Sequence, residues 1–444
     1  MTTPARETDG SIGVLGALSI GIGGIVGGGF FATFGLAIVG ARGATYLSFL
    51  VGGALALLTC YSYVRLTLAF PGPGGTVSFI RRAFGTGILA ASVNVLLIFS
   101  YVAIMAIYAR ALAAYAVQYL PPESREAWSG LLASASIVLM GLVNLAGAAL
   151  MAKSEALFNV GKIGVLAVFV GGGLVMGKPD WARLGTSEWV PAVTIITNGM
   201  VVFLAYEGFE LIANASARIR NPSRTLPIAF YGSVIAAIVI YFLAVVVAIG
   251  HLPFADMEAA SNFALSAAAG KFMGAFGFGL MTVGAILASA SAINADFFGA
   301  EKIPVSLAKQ GEMRTVFEHT IGGKTIYSMI LIGTIALLAV NLVGLHALSA
   351  ATSGGFLIVY AAVNTANARM ARQTGSRAWI SILAAVSCVA ALGTMVVQFA
   401  ASTATRPSAY AVVAIILIAL TWEIVFRLTG GHRPDVLLAD ARPS

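Results

Sequence analysis

Apolar stretches of about twenty residues or more, the length a helix needs to cross hydrocarbon, recur from Gly10 almost to the C-terminus. Short polar segments separate them and hold most of the charge. Hydropathy and Gly/Pro breakers predict spans at 10–39, 43–70, 84–120, 128–150, 154–176, 191–217, 225–250, 262–298, 325–343, 347–369, 377–398 and 407–428. This is an all-α polytopic membrane chain of twelve transmembrane helices, a single transmembrane unit over residues 1–444. An even number of spans puts both termini on one side. The connections on that side hold Arg6, Arg81, Arg82, Lys153, Arg218, Arg220, Arg224, Lys302, Lys309, Arg314, Lys324, Arg369, Arg372, Arg377, Arg427, Arg433 and Arg442. The opposite set holds Arg42, Arg125, Lys178, Arg183 and Arg406. Seventeen basic residues against five predict both termini in the cytoplasm.

Composition removes the soluble classes. The chain is 59% hydrophobic and 10% charged, against ~45–50% and ~25% in soluble domains. Fifty glycines suit close helix packing in a bilayer. The net charge of +8 lies in loops, where it faces lipid headgroups and not nucleic acid. Cys60 and Cys388 fall inside apolar runs as packing residues, and the four histidines form no metal pair, so neither metal nor cofactor is expected. The polar segment Met1–Asp9 precedes an apolar run too long for a signal-peptide core, which is expected to be retained as the first span.

Two spans carry unusual residues. The first contains Gly21-Ile22-Gly23-Gly24-Ile25-Val26-Gly27-Gly28-Gly29-Phe30-Phe31, where each glycine costs up to about 1 kcal/mol of helix stability relative to alanine. Consecutive glycines face every side of a helix, a pattern that suits unwinding better than a packing stripe. The sixth contains Leu204-Ala205-Tyr206-Glu207-Gly208-Phe209-Glu210. Carboxylates at that depth face a cavity or a partner. Spans one and six are five apart, the spacing of an inverted repeat of helices 1–5 (10–176) and 6–10 (191–369), with helices 11 and 12 (377–428) appended.

Lys162 lies in Phe158-Asn159-Val160-Gly161-Lys162-Ile163-Gly164, within the fifth span. A charged lysine there costs at least about 2.5–3.5 kcal/mol on insertion scales. Burial penalises the charged form, which is what a residue that loads and unloads a proton requires. The bland alternative is a lysine whose stem snorkels to the interface.

The sequence resembles the amino acid–polyamine–organocation superfamily of transporters along most of helices 1 to 10. The likeness is carried by Ile25-Val26-Gly27-Gly28-Gly29-Phe30-Phe31, by Tyr61-Ser62-Tyr63-Val64-Arg65-Leu66 followed by Phe70-Pro71-Gly72-Pro73-Gly74-Gly75, and by Glu207-Gly208-Phe209-Glu210 followed by Arg220-Asn221-Pro222-Ser223-Arg224-Thr225-Leu226-Pro227. Ser291-Ala292-Ile293-Asn294-Ala295 through Phe298-Gly299-Ala300 adds a fourth segment. Glu301, Lys302 and the proline-free Gly311-Glu312-Met313-Arg314 depart from the family pattern. The resemblance implies a leucine-transporter-type 5+5 inverted repeat with helices 1 and 6 broken and the substrate held between the breaks.

On that reading Ile25, Gly27, Gly28 and Gly29 line the site, with free N–H groups of the second half-helix receiving a substrate carboxylate. Carbonyls of Leu204, Ala205 and Glu207 receive its ammonium. Tyr206 and Phe209 are candidate gate or pocket residues, or ordinary core aromatics. The Glu207 side chain either adds negative charge near a cationic substrate or points away. Proton-coupled members carry a lysine matching Lys162, which stands where sodium-coupled relatives hold their cation, with Ser289 and Ser291 as candidate neighbours.

The function expected is secondary active transport of an amino acid or related amine, with protons as coupling ion. The alternatives are an amino acid/polyamine exchanger or an uncoupled facilitator. An enzyme is disfavoured by the lack of H-E-x-x-H and G-x-S-x-G. Substrate identity and oligomeric state are not legible.

Overall fold

The computed structural model describes residues 10–429 apart from 73, 147, 322 and 323, and for 148–157 the backbone alone. Arg6, Pro73, Arg433, Arg442 and the Lys153 side chain therefore lie outside the described residues. Those described are helical, without a strand, and only three isolated bridges occur among them. The helices run α1 (Val14–Ile25), α2 (Gly28–Ala41), α3 (Thr45–Ala69), α4 (Gly75–Phe84), α5 (Ile88–Ala116), α6 (Pro122–Ala146), α7 (Ala148–Val175), α8 (Ala192–Val201) and α9 (Leu211–Asn214). They continue as α10 (Pro222–His251), α11 (Phe254–Ala259), α12 (Ala264–Ala300), α13 (Lys302–Lys309), α14 (Ile326–Leu342), α15 (Leu345–Arg369), α16 (Ala371–Thr374), α17 (Ala378–Ala401) and α18 (Arg406–Leu428).

Ten helical segments are long and apolar enough to cross a bilayer, and α1 with α2 makes an eleventh as a span bent by 42°. The predicted ninth span is α14, which has 17 residues. At 1.5 Å per residue it is about 25 Å long, the short limit for a crossing. The twelfth span of the sequence count rests on it.

One predicted span differs in kind. Residues 262–298 read as one apolar run, but Gly274 inside α12 has φ +61°. The helix turns a corner there. An unbroken helix of 37 residues would be about 55 Å long, far beyond the hydrocarbon thickness of about 30 Å.

Glycine sets the geometry where the first and sixth spans meet. A Cβ on Gly24 would lie 2.7 Å from the Gly208 carbonyl oxygen, and one on Gly208 would lie 2.5 Å from the Gly24 carbonyl carbon. Gly208 also has φ +113°, a region closed to other residues. The residues before α1 reinforce the contact. Ile12 N–H donates to Arg218 O at 3.0 Å and Arg220 N–H to Ile12 O at 2.8 Å, tying the start of the first span to the end of the sixth.

On the face that carries both described chain ends, the segment after α13 folds under the bundle. Glu312 N–H bonds Leu307 O at 2.8 Å, and the side chain is 1% exposed. Its carboxyl adjoins Asn94, Glu423, Arg81 and Arg427. Burial pushes it up to about 7, against the downward pull of Asn94 and the two guanidinium groups. An acid raised on folding holds its proton more tightly in the folded chain, so stability falls as pH rises from its unfolded value toward 7 and levels off above that. Glu312→Gln should flatten this slope: between about pH 5 and pH 8 the wild type should lose more melting temperature in detergent than the variant. Equal losses would mean that Glu312 does not titrate in this window.

Candidate functional site

The first span breaks at Val26 and Gly27. Val26 N–H still reaches Ile22 O at 2.8 Å and Gly27 N–H turns back to Ile25 O at 2.8 Å, after which extended Gly27 opens α2. The last carbonyls of α1 and the first N–H groups of α2 are then left at mid-depth, where helix ends carry partial negative and positive charge. Tyr108 of α5 covers the start of α2. A Cβ on Gly28 would come within 2.8 Å of its ring and 3.0 Å of Ser289.

The sixth span passes from α8 through a 3₁₀ segment, Val202–Tyr206, into extended Glu207 and then Gly208 before α9. Glu210 pins this break. Its carboxylate accepts from Tyr101 Oη at 2.9 Å, Tyr360 Oη at 3.0 Å and the Gly208 N–H at 3.0 Å. Glu207 lies against Glu210 and within the field of Asp296 on α12. One Glu207 oxygen is buried without a hydrogen-bond partner.

A single hydroxyl joins the two breaks. Tyr241 Oη of α10 lies 2.7 Å from Ile25 O and 3.0 Å from Ala205 O. It has one proton to donate, so the two carbonyls share it. Its ring stacks on Phe30 with centroids 4.3 Å apart. Leu204 O accepts from Glu207 N–H at 3.2 Å. Of the three carbonyls expected for an ammonium, Leu204 thus has a backbone donor and Ala205 shares Tyr241.

Lys162 is fully buried. Its Nζ lies 2.6 Å from Gly23 O and 3.3 Å from Ser291 Oγ. The snorkelling alternative is excluded by this placement. Gly23 O is one of the orphan carbonyls at the end of α1, so the ammonium caps the negative end of that half-helix. Ser289 stands apart from Lys162, against Gly28, with its hydroxyl buried and unpartnered.

Tyr206 and Phe209 pack as core aromatics. Tyr206 donates to Phe49 O at 2.8 Å, and the Phe209 ring sits 5.4 Å from those of Tyr63 and Tyr360. A cavity of about 440 Å³ opens on the face carrying the chain ends and reaches inward to Gly24, Tyr101 and Asn159. None of the sequence-predicted site residues lines it; they form the packed layer at its inner end. Sequence reasoning missed Tyr101, Tyr108, Tyr241, Tyr360, Asn159 and Asp296. Only Asp296 gave a signal, a carboxylate within an apolar span.

Residues 12–421 match the family model described as amino acid permease. An uncharacterized protein of Methanocaldococcus jannaschii is 27% identical over 93% of this chain and 94% of its own length. The inner membrane transport protein YbaT of Escherichia coli is 28% identical over 82% of this chain and 84% of its own. The chloroplastic cationic amino acid transporter 9 of Arabidopsis thaliana is 26% identical over 71% and 59%.

The geometry makes Glu210 a stronger support than Tyr241. Glu210→Gln replaces one acceptor oxygen by a donor that faces other donors, which should cost about 1–3 kcal/mol. Tyr241→Phe removes one hydroxyl within the membrane, worth roughly 0.6–1.7 kcal/mol. Thermal melts in detergent should show both destabilised in that order; an unchanged Tyr241→Phe would show that the shared hydroxyl does not hold the breaks together.

Proposed function

The chain belongs to the amino acid permease family, and from that membership we propose that it is a secondary active transporter carrying an amino acid across the cytoplasmic membrane by proton symport with alternating access. In this reading the face with both chain ends is cytoplasmic, as the basic-residue asymmetry indicates. The segments from α1 to α7 and from α8 to α15 form an inverted repeat, with one broken helix opening each half. The amino acid carboxylate meets the start of α2 at Gly27, Gly28 and Gly29, beside Ile25. Its ammonium meets the Ala205 and Glu207 carbonyls, competing with Tyr241 for the first.

The observation that carries the proton is the placement of Lys162. Its ammonium bridges the end of α1 to Ser291 of α12. Protonated, it holds the half-helix against that neighbour. Deprotonated, it leaves Gly23 O without a cation at the negative helix end, and α1 is freer to swing. A proton taken at one face and lost at the other then biases which face opens.

The second reading, exchange of an amino acid against an amine, is favoured by Glu207. Its unpartnered oxygen suits a second ammonium, which a dicationic substrate would bring.

Purified protein in liposomes, offered a panel of labelled amino acids and amines under an imposed proton or sodium gradient, separates these readings. Lys162→Ala should retain exchange while losing proton-driven accumulation. Full accumulation by this variant would retire the lysine as proton carrier, and accumulation driven by sodium alone would retire proton symport.

A further inference from the structure

The cavity below the breaks has a charged rim that the transport reading leaves unused. Arg218, just after the sixth span, and Lys302, the first residue of α13, both line it. Neither forms an ion pair with a carboxylate among the described residues. Lys302 Nζ lies over the Phe298 ring at 3.0 Å, and its charge is repelled by that of Arg218. Glu301, its neighbour in the chain, draws Lys302 the other way. Two cations that line one cavity without an ion pair to a carboxylate are relieved when an anion enters it.

The opposite end of the cavity is polar. Tyr101 lines it and donates to Glu210, and Gly24 and Asn159 line it beside the Lys162 ammonium on Gly23 O. The charge at the mouth is that of Arg218 and Lys302. A zwitterion in this space lies with its carboxylate toward the rim. An amine without a carboxylate has nothing for the rim to hold. The volume of about 440 Å³ admits a whole amino acid.

We propose that Arg218 and Lys302 form a second station for the substrate, holding the carboxylate of an amino acid at the cytoplasmic mouth of the cavity, apart from the site between the broken helices. The inference rests on the transport reading above and adds a choice among substrates: amino acids are favoured over their decarboxylated amines on this face. The competing role for these two exposed cations is contact with anionic headgroups, which a comparison of neutral with anionic lipid separates from the station.

The test uses proteoliposomes of neutral and of anionic lipid, with labelled L-serine and ethanolamine, L-lysine and cadaverine, and L-phenylalanine and phenylethylamine as probes. Half-saturating concentrations are measured from each face for the wild type and for Arg218→Gln with Lys302→Gln. The double variant should raise the cytoplasmic value for the amino acid roughly ten-fold, the loss of one charge-assisted contact. The external value and any transported amine should change by less than about two-fold, and Arg218→Lys alone should stay close to wild type. The station is overturned by an equal change from both faces, by an equal change for the amine, by no change, or by an effect confined to anionic lipid. A wild type that moves none of the six compounds overturns the transport reading, and this inference with it.

Discussion

A carbonyl or N–H group at the middle of a bilayer has no water to turn to, and each one left unpaired costs several kcal/mol. Breaking two helices at that depth strands such groups in quantity. The rest of the core is arranged around replacing them. Lys162 takes Gly23 O, Tyr241 is shared between Ile25 O and Ala205 O, and Glu210 takes the Gly208 N–H. Each replacement comes from a different helix, namely α7, α10 and the sixth span itself. The breaks persist because the surrounding helices complete their hydrogen bonding, and neither half-helix can move without exchanging those partners.

This accounts for the different fates of the two acidic residues in the sixth span. Glu210 has three donors and so serves as an internal support. Glu207, three residues earlier, leads into the extended turn and keeps an oxygen without a partner. A buried acceptor left open is expensive in a purely structural role. Under the transport reading, that open oxygen is completed when the substrate's cation arrives.

The breaks themselves were legible in the sequence. Consecutive glycines in the first span and an acid-glycine-aromatic-acid run in the sixth violate helix chemistry in ways that tertiary packing does not require. The buried lysine was legible for the same reason: charge in an apolar span is conspicuous. The tyrosines that hold the breaks were not. Tyr101, Tyr241 and Tyr360 sit in long apolar helices, where an aromatic residue is ordinary and its hydroxyl finds a partner only in three dimensions. The corner at Gly274 was equally hidden, because hydropathy registers how apolar a segment is and not whether it is straight. The cavity escaped because its lining, Arg218 and Lys302 included, comes from separate stretches of the chain that meet only in three dimensions.

Lys162 and the glycine-rich turn act on the two ends of one interruption. The lysine sits at the negative end of α1, while the positive start of α2 lies a few residues on, beneath Tyr108. A cation at the first and an anion at the second are each favoured by the local dipole, and each makes the other easier to hold, since opposite charges a few ångströms apart in a poorly screened interior attract strongly. Under the transport reading, a proton on Lys162 therefore strengthens the hold on a substrate carboxylate, and its loss weakens it. Coupling of that kind needs no long-range pathway. The interruption brings both charges to one point in the chain, and the stranded backbone groups at its ends provide the rest.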